Sequence, residues 1–175
     1  MPELIQEERI VTVEPVEAQG VRRRPADVLA WAALALARAM IAADGCVGVE
    51  CEARHAACAA AAAASMARAR GDTILTAIVD GGRVAVSHCS RVSCRSIAFT
   101  VGEAAAAARD YKAMRRIVAA ILRMLRERKD YDKRRARAAI GLYIVNPLAL
   151  LEAAVDAMRS CPCAASIADR IRLPR

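Results

Sequence analysis

The stretch that decides the fold is PADVLAWAALALARAMIAADGCVGVECEARHAACAAAAAASMARAR, residues 25–70, which is rich in small and apolar residues. Pro25 stands in a favoured first-turn position, and Asp44-Gly45 predicts the end of a first helix at about Ala43. A second helix is predicted from about Glu50 to Arg70, before Gly71. The run of six alanines at residues 59–64 presents little bulk, so this helix suits close approach of another backbone.

The composition supports a mainly helical chain and limits its function. Alanine supplies 42 of the 175 residues, and Ala, Leu, Arg and Glu all fit helices well. One Trp, one Phe and three Tyr are too few for base-stacking platforms or an aromatic-lined ligand pocket. A chain of this length is the usual size of one domain. We therefore predict a mainly α protein, a helical bundle with a small β element.

Two other regions flank or interrupt the predicted bundle. Residues 1–24 carry two Pro and nine charged groups, which indicates an extended N-terminal arm with a short strand at residues 9–13. The remaining residues, 25–175, are predicted to form a single domain with a β insertion at about 73–101. Within it, strands at 73–79 and 83–88 flank Asp80-Gly81-Gly82, a strong hairpin signal, and residues 92–101 add a third strand.

The C-terminal half is predicted to be helical. The longest helix is expected from Glu103 to about Lys129, followed by helices at 132–145 and 148–159 and a short last helix at 164–172. The most apolar run, residues 28–43, is too short for a membrane span and contains Arg38, so we expect neither a span nor a signal peptide.

The net charge of +8 is concentrated in residues 109–137, which hold 12 basic and 4 acidic groups. At 100° per residue, six cations of the longest predicted helix fall within an arc of about 120°. The opposite side is apolar and is expected to pack on the core. The six cations are Arg109, Lys112, Arg115, Arg116, Arg123 and Arg126. Further cations extend this basic surface, namely Arg128, Lys129, Lys133, Arg134, Arg135 and Arg137, with Arg22, Arg23 and Arg24 in the arm.

Between residues 109 and 126 the arc contains no carboxylate, so its like charges repel each other in an isolated helix. When a polyanion binds, the same charges become favourable, because each phosphate contact releases condensed counterions. No helix-turn-helix, zinc-finger or RNA-recognition signature is present, which favours contact with the nucleic-acid backbone without sequence specificity. A plain solvated face, an anionic membrane surface and an acidic protein partner are the alternatives.

Seven cysteines and two histidines form three groups along the chain. Structural disulfides are the preferred interpretation, and the short pairings to test are Cys46 with Cys51 or Cys58, and Cys89 with Cys94. Intracellular proteins of hyperthermophiles are an exception to the usual reduction of cytosolic thiols. Buried free thiols are a second interpretation. A metal site using Cys51, His55 and Cys58, which lie at i, i+4 and i+7, is a third.

Catalytic signatures are missing from the sequence. There is no Walker loop, dinucleotide fingerprint, HExxH or GxSxG motif, and the acidic residues are scattered. We therefore expect a protein that is not an enzyme and that has no cofactor.

The arm ending at Arg24, the Ala-rich helices of residues 25–70 and the basic helices of residues 109–137 resemble, in layout, the major capsid proteins of filamentous viruses of hyperthermophilic archaea. This is the rudivirus, lipothrixvirus and tristromavirus group. The resemblance implies a virion protein that coats double-stranded DNA together with other copies of itself or a related subunit, in the virion or the host cytoplasm. A metal or redox accessory protein and a helical subunit of a nucleoprotein effector complex are the alternative functions.

Overall fold

The computed structural model describes residues 9–16, 23–69 and 74–174, and it confirms a mainly helical protein with a small antiparallel sheet. The sheet contains three strands. The elements, in chain order, are β1 (Val11–Thr12), α1 (Pro25–Asp44), α2 (Val49–Ser65), β2 (Ile74–Asp80), β3 (Arg83–Cys89), β4 (Cys94–Thr100), α3 (Val101–Ala107), α4 (Tyr111–Glu127), α5 (Lys133–Val145), α6 (Pro147–Arg159), α7 (Ala165–Ala168) and β5 (Ile171–Arg172).

Helices α1 and α2 form the centre of the molecule. Residues 27–37 of α1 and 55–65 of α2 are buried without interruption, so neither helix has a solvent face over these spans. The alanines of α2 permit this, because side chains without bulk let α1, α3 and α4 pack around the helix. Trp31 of α1 is among the largest fully buried side chains. Its ring makes an edge contact with Tyr143 of α5, and its indole N–H donates to the carbonyl of Val16.

The small sheet has the order β2-β3-β4, with both strand pairs antiparallel. Gly81 and Gly82 connect the first two strands with φ values of 51° and 82°, the left-handed conformation that the predicted tight turn requires. Val84 and Val86 on β3 are fully buried, and the sheet packs on α2. Strand β4 is an edge strand beside α4, and this position matters for the site described below.

The described part of the N-terminal arm is tied to the C-terminal end of the chain. Strand β1 pairs in parallel with β5, and Val13 next to it is fully buried. The strand expected at residues 9–13 is therefore present in shorter form. The last helix predicted at 164–172 is wrong in extent, because α7 has only four residues and the chain then extends to pair with β1.

The long helix predicted from Glu103 to Lys129 is also wrong, since it is two helices. Thr100 caps α3 by accepting a hydrogen bond from the Glu103 N–H at 3.1 Å, and α3 ends at Ala107. Asp110 then caps α4 by accepting from the Lys112 N–H at 3.1 Å. Each cap gives a hydrogen-bond acceptor to a backbone N–H that has no partner within the first turn of a helix. Starting a second helix after Asp110 therefore competes with extending α3 through this residue. Helix α2 likewise ends at Ser65, before the predicted Arg70.

One helix among the described residues is long and apolar enough to cross a membrane by length and composition, namely α1. It has 20 residues, so it is longer than the apolar run on which the expectation of no span rested. In this fold 78% of its most apolar 18-residue stretch is buried against other parts of the protein, as in the core helix of a folded domain.

Candidate nucleic-acid interface

Helix α4 has one buried apolar face and one basic face, as the sequence predicted. Its buried residues are Met114, Ile117, Val118, Ile121, Leu122, Met124 and Leu125. Because this face packs on α1 and α2, the opposite side of the helix is turned outward. The basic cluster predicted from the sequence does not behave as one unit, however, since some of its arginines bind carboxylates from other elements.

Arg115 is bound to a buried carboxylate in α1. Its Nε donates to Asp27 Oδ1 at 2.6 Å, and the Tyr111 hydroxyl donates to the same oxygen at 2.9 Å. The hydrogen bond to Asp27 raises the pKa of the Arg115 guanidinium, and burial together with this carboxylate raises the pKa of Tyr111. Asp27 Oδ2 is buried without a partner among the described residues, so Arg115 is the cation on which this carboxylate depends.

Arg109 is bound to α2, and it lies outside α4. It occupies the break between α3 and α4, and its Nη2 donates to both oxygens of Glu52, at 2.7 and 2.8 Å. The arc between residues 109 and 126 has no carboxylate of its own, but the fold supplies two from other helices, Glu52 to Arg109 and Asp27 to Arg115. The five cations that remain on α4 span 14 residue steps from Lys112 to Arg126, or about 21 Å at 1.5 Å per residue.

Arg128 holds the turn after α4 against the loop between β3 and β4. Its Nη2 donates to the Ser93 carbonyl at 2.9 Å, and its Nε lies 3.3 Å from Asp130 Oδ2. His88 lies beneath this contact and is fully buried, with Nδ1 3.7 Å from Asp130 Oδ2. Burial lowers the pKa of His88, and the nearby Arg128 and Arg68 act in the same direction, while Asp130 opposes them. The side chain is therefore neutral in the folded protein at neutral pH.

Most of the other predicted cations differ from these three arginines. We use the name paired arginines for Arg109, Arg115 and Arg128. Seven further cations from α4 to α5 are exposed and have no side-chain hydrogen bond or ion pair within the described ranges, and we call them the free cations. They are Lys112, Arg116, Arg123, Lys129, Lys133, Arg134 and Arg137. Two members of the predicted cluster lie between the classes. Arg126 stacks 4.7 Å above the Tyr131 ring, and Arg135 lies 3.8 Å from Asp132.

Two of the seven free cations line clefts beside strand β4. Arg116 lines a cleft of about 530 Å³ with Phe99 and Ile117, between α3, α4 and β4. Arg123 lines a second cleft of about 200 Å³, together with Arg95 and Ser96 of β4. Arg95 was missed by the sequence analysis because it lies in a predicted strand, away from the charge run. Its side chain is 3.4 Å from Glu127, which offsets part of its charge.

The cations at the start of α1 extend the same region. Arg23 and Arg24 are exposed, and the contact between Asp27 and Arg115 brings the first turn of α1 beside α4. Arg22, the third member of that predicted triplet, lies outside the described residues.

Six of the seven cysteines form three disulfides, which confirms the preferred interpretation. Cys46 is bonded to Cys51 and Cys89 to Cys94, as two of the short pairings predicted. The alternative of Cys46 with Cys58 is wrong, because Cys58 is bonded to Cys163 across 105 residues of sequence. Cys161 is the remaining free cysteine and is buried, which raises the pKa of its thiol.

The metal site predicted from Cys51, His55 and Cys58 is not assembled as such. Cys58 is directed to Cys163, and the residues that lie with Cys51 and His55 are Asp44 and Cys46. The sequence analysis missed Asp44 because its metal pattern included only cysteine and histidine. The one sign of Asp44 in the sequence is its position two residues before Cys46.

Comparison with protein-family models, with curated proteins and with solved structures found no match for this chain.

Proposed function

We propose that the protein binds the nucleic-acid backbone without sequence specificity through the free cations of α4 and α5. The observation that supports the proposal is that the cations of α4 and of the break before it fall into two groups. Carboxylates of α1 and α2 bind Arg115 and Arg109, while Lys112, Arg116 and Arg123 stay exposed without an acidic partner in the described part of the chain. The unpartnered charge is thus left on the outside, where a ligand can reach it.

The positions of these charges favour an anion over bulk water. Neither α4 nor α5 has an acidic residue in its first turn, and α5 begins with Lys133 and Arg134 at the positive end of the helix dipole. The N-cap residue Asp132 offsets part of this charge by accepting from the Arg134 N–H at 2.9 Å, and a phosphate beside the exposed side chains of Lys133 and Arg134 would offset more of it. Arginine also binds phosphate with two parallel hydrogen bonds, which suits recognition of a backbone.

Double-stranded DNA remains the predicted ligand, and a structural coat remains the predicted role. The free cations of α4, from Lys112 to Arg123, extend over about 17 Å at 1.5 Å per residue, which matches several successive phosphates and no single small ligand. Assembly with other copies finds support at the end of α5, where Ile144 and Val145 are 50% and 85% exposed. Electron microscopy of the native particle tests this part, since a regular filament with nucleic acid inside is expected and a monodisperse monomer contradicts it.

Charge reversal at two free cations tests the binding proposal. We expect Arg116→Glu with Arg123→Glu to weaken binding of a random-sequence DNA duplex by at least about tenfold at low salt, because two phosphate contacts become repulsive. The circular dichroism spectrum should be unchanged, since both side chains are exposed. Arg115 must not be reversed with them, because its replacement by Glu would face the buried Asp27.

A control with the same change in net charge completes that experiment. Arg83 and Arg159 are exposed residues on β3 and α6, outside the basic segment, and Arg159 has a solvent-exposed ion pair with Asp156 at 3.1 Å. The double reversal Arg83→Glu with Arg159→Glu should affect binding much less than the reversal on α4. Equal losses for the two double variants would show that only the net charge of the protein matters, and the proposed interface would be wrong.

A further inference from the structure

Four potential metal ligands converge at the connection between α1 and α2. Asp44 is the last residue of α1, Cys46 follows Gly45, and Cys51 and His55 lie one helical turn apart on α2. Their ligand atoms all lie within 4.8 Å of one another. No other group of this kind is found among residues 9–16, 23–69 and 74–174.

The distances within this group are close to those of a tetrahedral zinc site. His55 Nε2 lies 2.9 Å from Asp44 Oδ2, and Cys51 Sγ lies 3.6 Å from the same oxygen. With bonds of about 2.3 Å to sulfur and about 2.0 Å to nitrogen or oxygen, tetrahedral ligands are separated by about 3.3 to 3.8 Å. Only the two sulfur atoms are unsuitable at present, because they are bonded to each other.

We propose that reduction of the disulfide between Cys46 and Cys51 converts this group into a zinc site with Cys46, Cys51, His55 and Asp44 as its four ligands. A dithiol supplies two electrons and two protons, its own sulfur atoms form a disulfide, and the bond between Cys46 and Cys51 breaks. Zinc then binds both sulfurs as thiolates, and the two thiol protons leave to solvent. Oxidation by a disulfide reverses the reaction, re-forms the bond and releases the zinc.

The charges around the group suit this ligand set. Two thiolates, one carboxylate and a neutral imidazole around Zn²⁺ give a net charge of −1. The His55 hydrogen bond lowers the pKa of Asp44, and Arg170 and Arg54 contribute to the same shift, so the carboxylate is ionised and cations surround it. Arg170 is held there because its Nη1 donates to the Ala43 carbonyl at 2.9 Å. These arginines compensate the excess negative charge of the zinc-bound state.

The disulfide cysteines Cys46 and Cys51 are partly accessible to solvent, whereas the imidazole of His55 is buried. His55 is 6% exposed, whereas Cys46 and Cys51 are half-buried and the intervening Val47 is 94% exposed. Gly45 and Gly48 have φ values of 60° and 103°, so the loop follows a path that favours glycine and returns Cys46 to the start of α2. A reductant can therefore approach the disulfide without opening the helical core.

The second short disulfide provides a matched control. Cys89 and Cys94 are also five residues apart, but they join β3 to β4 and belong to no such ligand group in the described ranges. If reduction alone created metal binding, either pair would serve. If the histidine and the carboxylate are required, only the pair at the connection between α1 and α2 will serve.

Cobalt titration of the full chain tests the proposal. The protein is reduced with dithiothreitol, freed of reductant by gel filtration without oxygen, and titrated with Co²⁺. We expect one equivalent to bind with the visible absorption of tetrahedral cobalt and a thiolate charge-transfer band, both lost when Zn²⁺ is added. The oxidised protein should bind no cobalt. Absence of these bands in the reduced protein would overturn the proposal.

Variants assign the site to its residues. The double variant Cys89→Ser with Cys94→Ser should bind cobalt as the wild type does, and Cys46→Ser with Cys51→Ser should lose the charge-transfer band. His55→Gln keeps every cysteine and should weaken binding by at least about tenfold. Cobalt binding that survives in the Cys46 and Cys51 variant would place the metal at other thiols. A helical signal that is lost on reduction and not restored by Zn²⁺ would also refute the site.

Discussion

Two classes of arginine stand within one short basic segment, and they differ in what the rest of the fold offers them. Arg109 and Arg115 meet the carboxylates of Glu52 and Asp27, at 2.7 and 2.6 Å. Arg116 and Arg123 belong to the same segment and meet no carboxylate in the described part of the protein. A run of charge in a sequence therefore contains both structural cations and cations available for a ligand, and only the tertiary contacts separate them.

The largest expected effect is the loss of stability on removing a paired arginine from a buried carboxylate. Arg115→Ala leaves Asp27 buried without its cation, but the Arg115 side chain is 38% exposed and partly screened by water, so the loss of unfolding free energy should be about 2 kcal/mol. Urea denaturation followed by circular dichroism measures this loss. The double variant with Asp27→Asn should recover part of it. A loss below about 0.5 kcal/mol would mean that Arg115 belongs with the free cations.

Acidification should destabilise the protein at His88, which is buried beneath the contact of Arg128 with Asp130. The pKa of His88 is lower in the folded protein than in the unfolded chain, so the unfolded chain takes up this proton first as the pH falls. The stability contributed by neutral His88 is present above pH about 6.5 and is lost below it, by at most about 1.4 kcal/mol per pH unit. His88→Leu should make the unfolding free energy less dependent on pH between about 7 and 5. Parallel curves for both proteins would contradict this assignment.

A smaller effect is expected at the exposed paired arginine. Arg109 is 74% exposed, so its ion pair with Glu52 is screened by water. Arg109→Ala should lower the unfolding free energy by less than about 1 kcal/mol. Thermal denaturation of Arg109→Ala and Arg115→Ala, measured side by side, shows which of the two ion pairs contributes more to stability. A larger loss at Arg109 than at Arg115 would reverse the ranking that burial predicts.

Much of the architecture follows from local sequence signals. Pro25 and Gly45 bracket α1, and Gly81-Gly82 sets the hairpin, because these residues act on the backbone where they stand. The break before α4 was missed because the alanines of residues 104–108 contain no helix breaker. Its only local sign is Asp110, a capping residue that the prediction placed inside a helix.

The site was predictable to the extent that it depends on one helix. The spacing of Lys112, Arg116 and Arg123 places them on one face, and the structure has them exposed there. The partners of Arg109 and Arg115 come from α1 and α2, and Cys163 reaches Cys58 from 105 residues away. Such contacts depend on how the helices pack, which periodicity within a single helix does not encode.

The salt dependence of DNA binding tests the division between free and paired cations most directly. Binding of a random-sequence duplex is measured by fluorescence anisotropy over a range of salt concentrations for the wild type, Arg109→Ala, and Arg116→Ala with Arg123→Ala. The slope of log K against log salt should fall by about 1.8 for the double variant, because two phosphate contacts are lost, and should hardly change for Arg109→Ala. An unchanged slope in the double variant, or an equal fall in both, would contradict the assignment of the free cations to the nucleic-acid backbone.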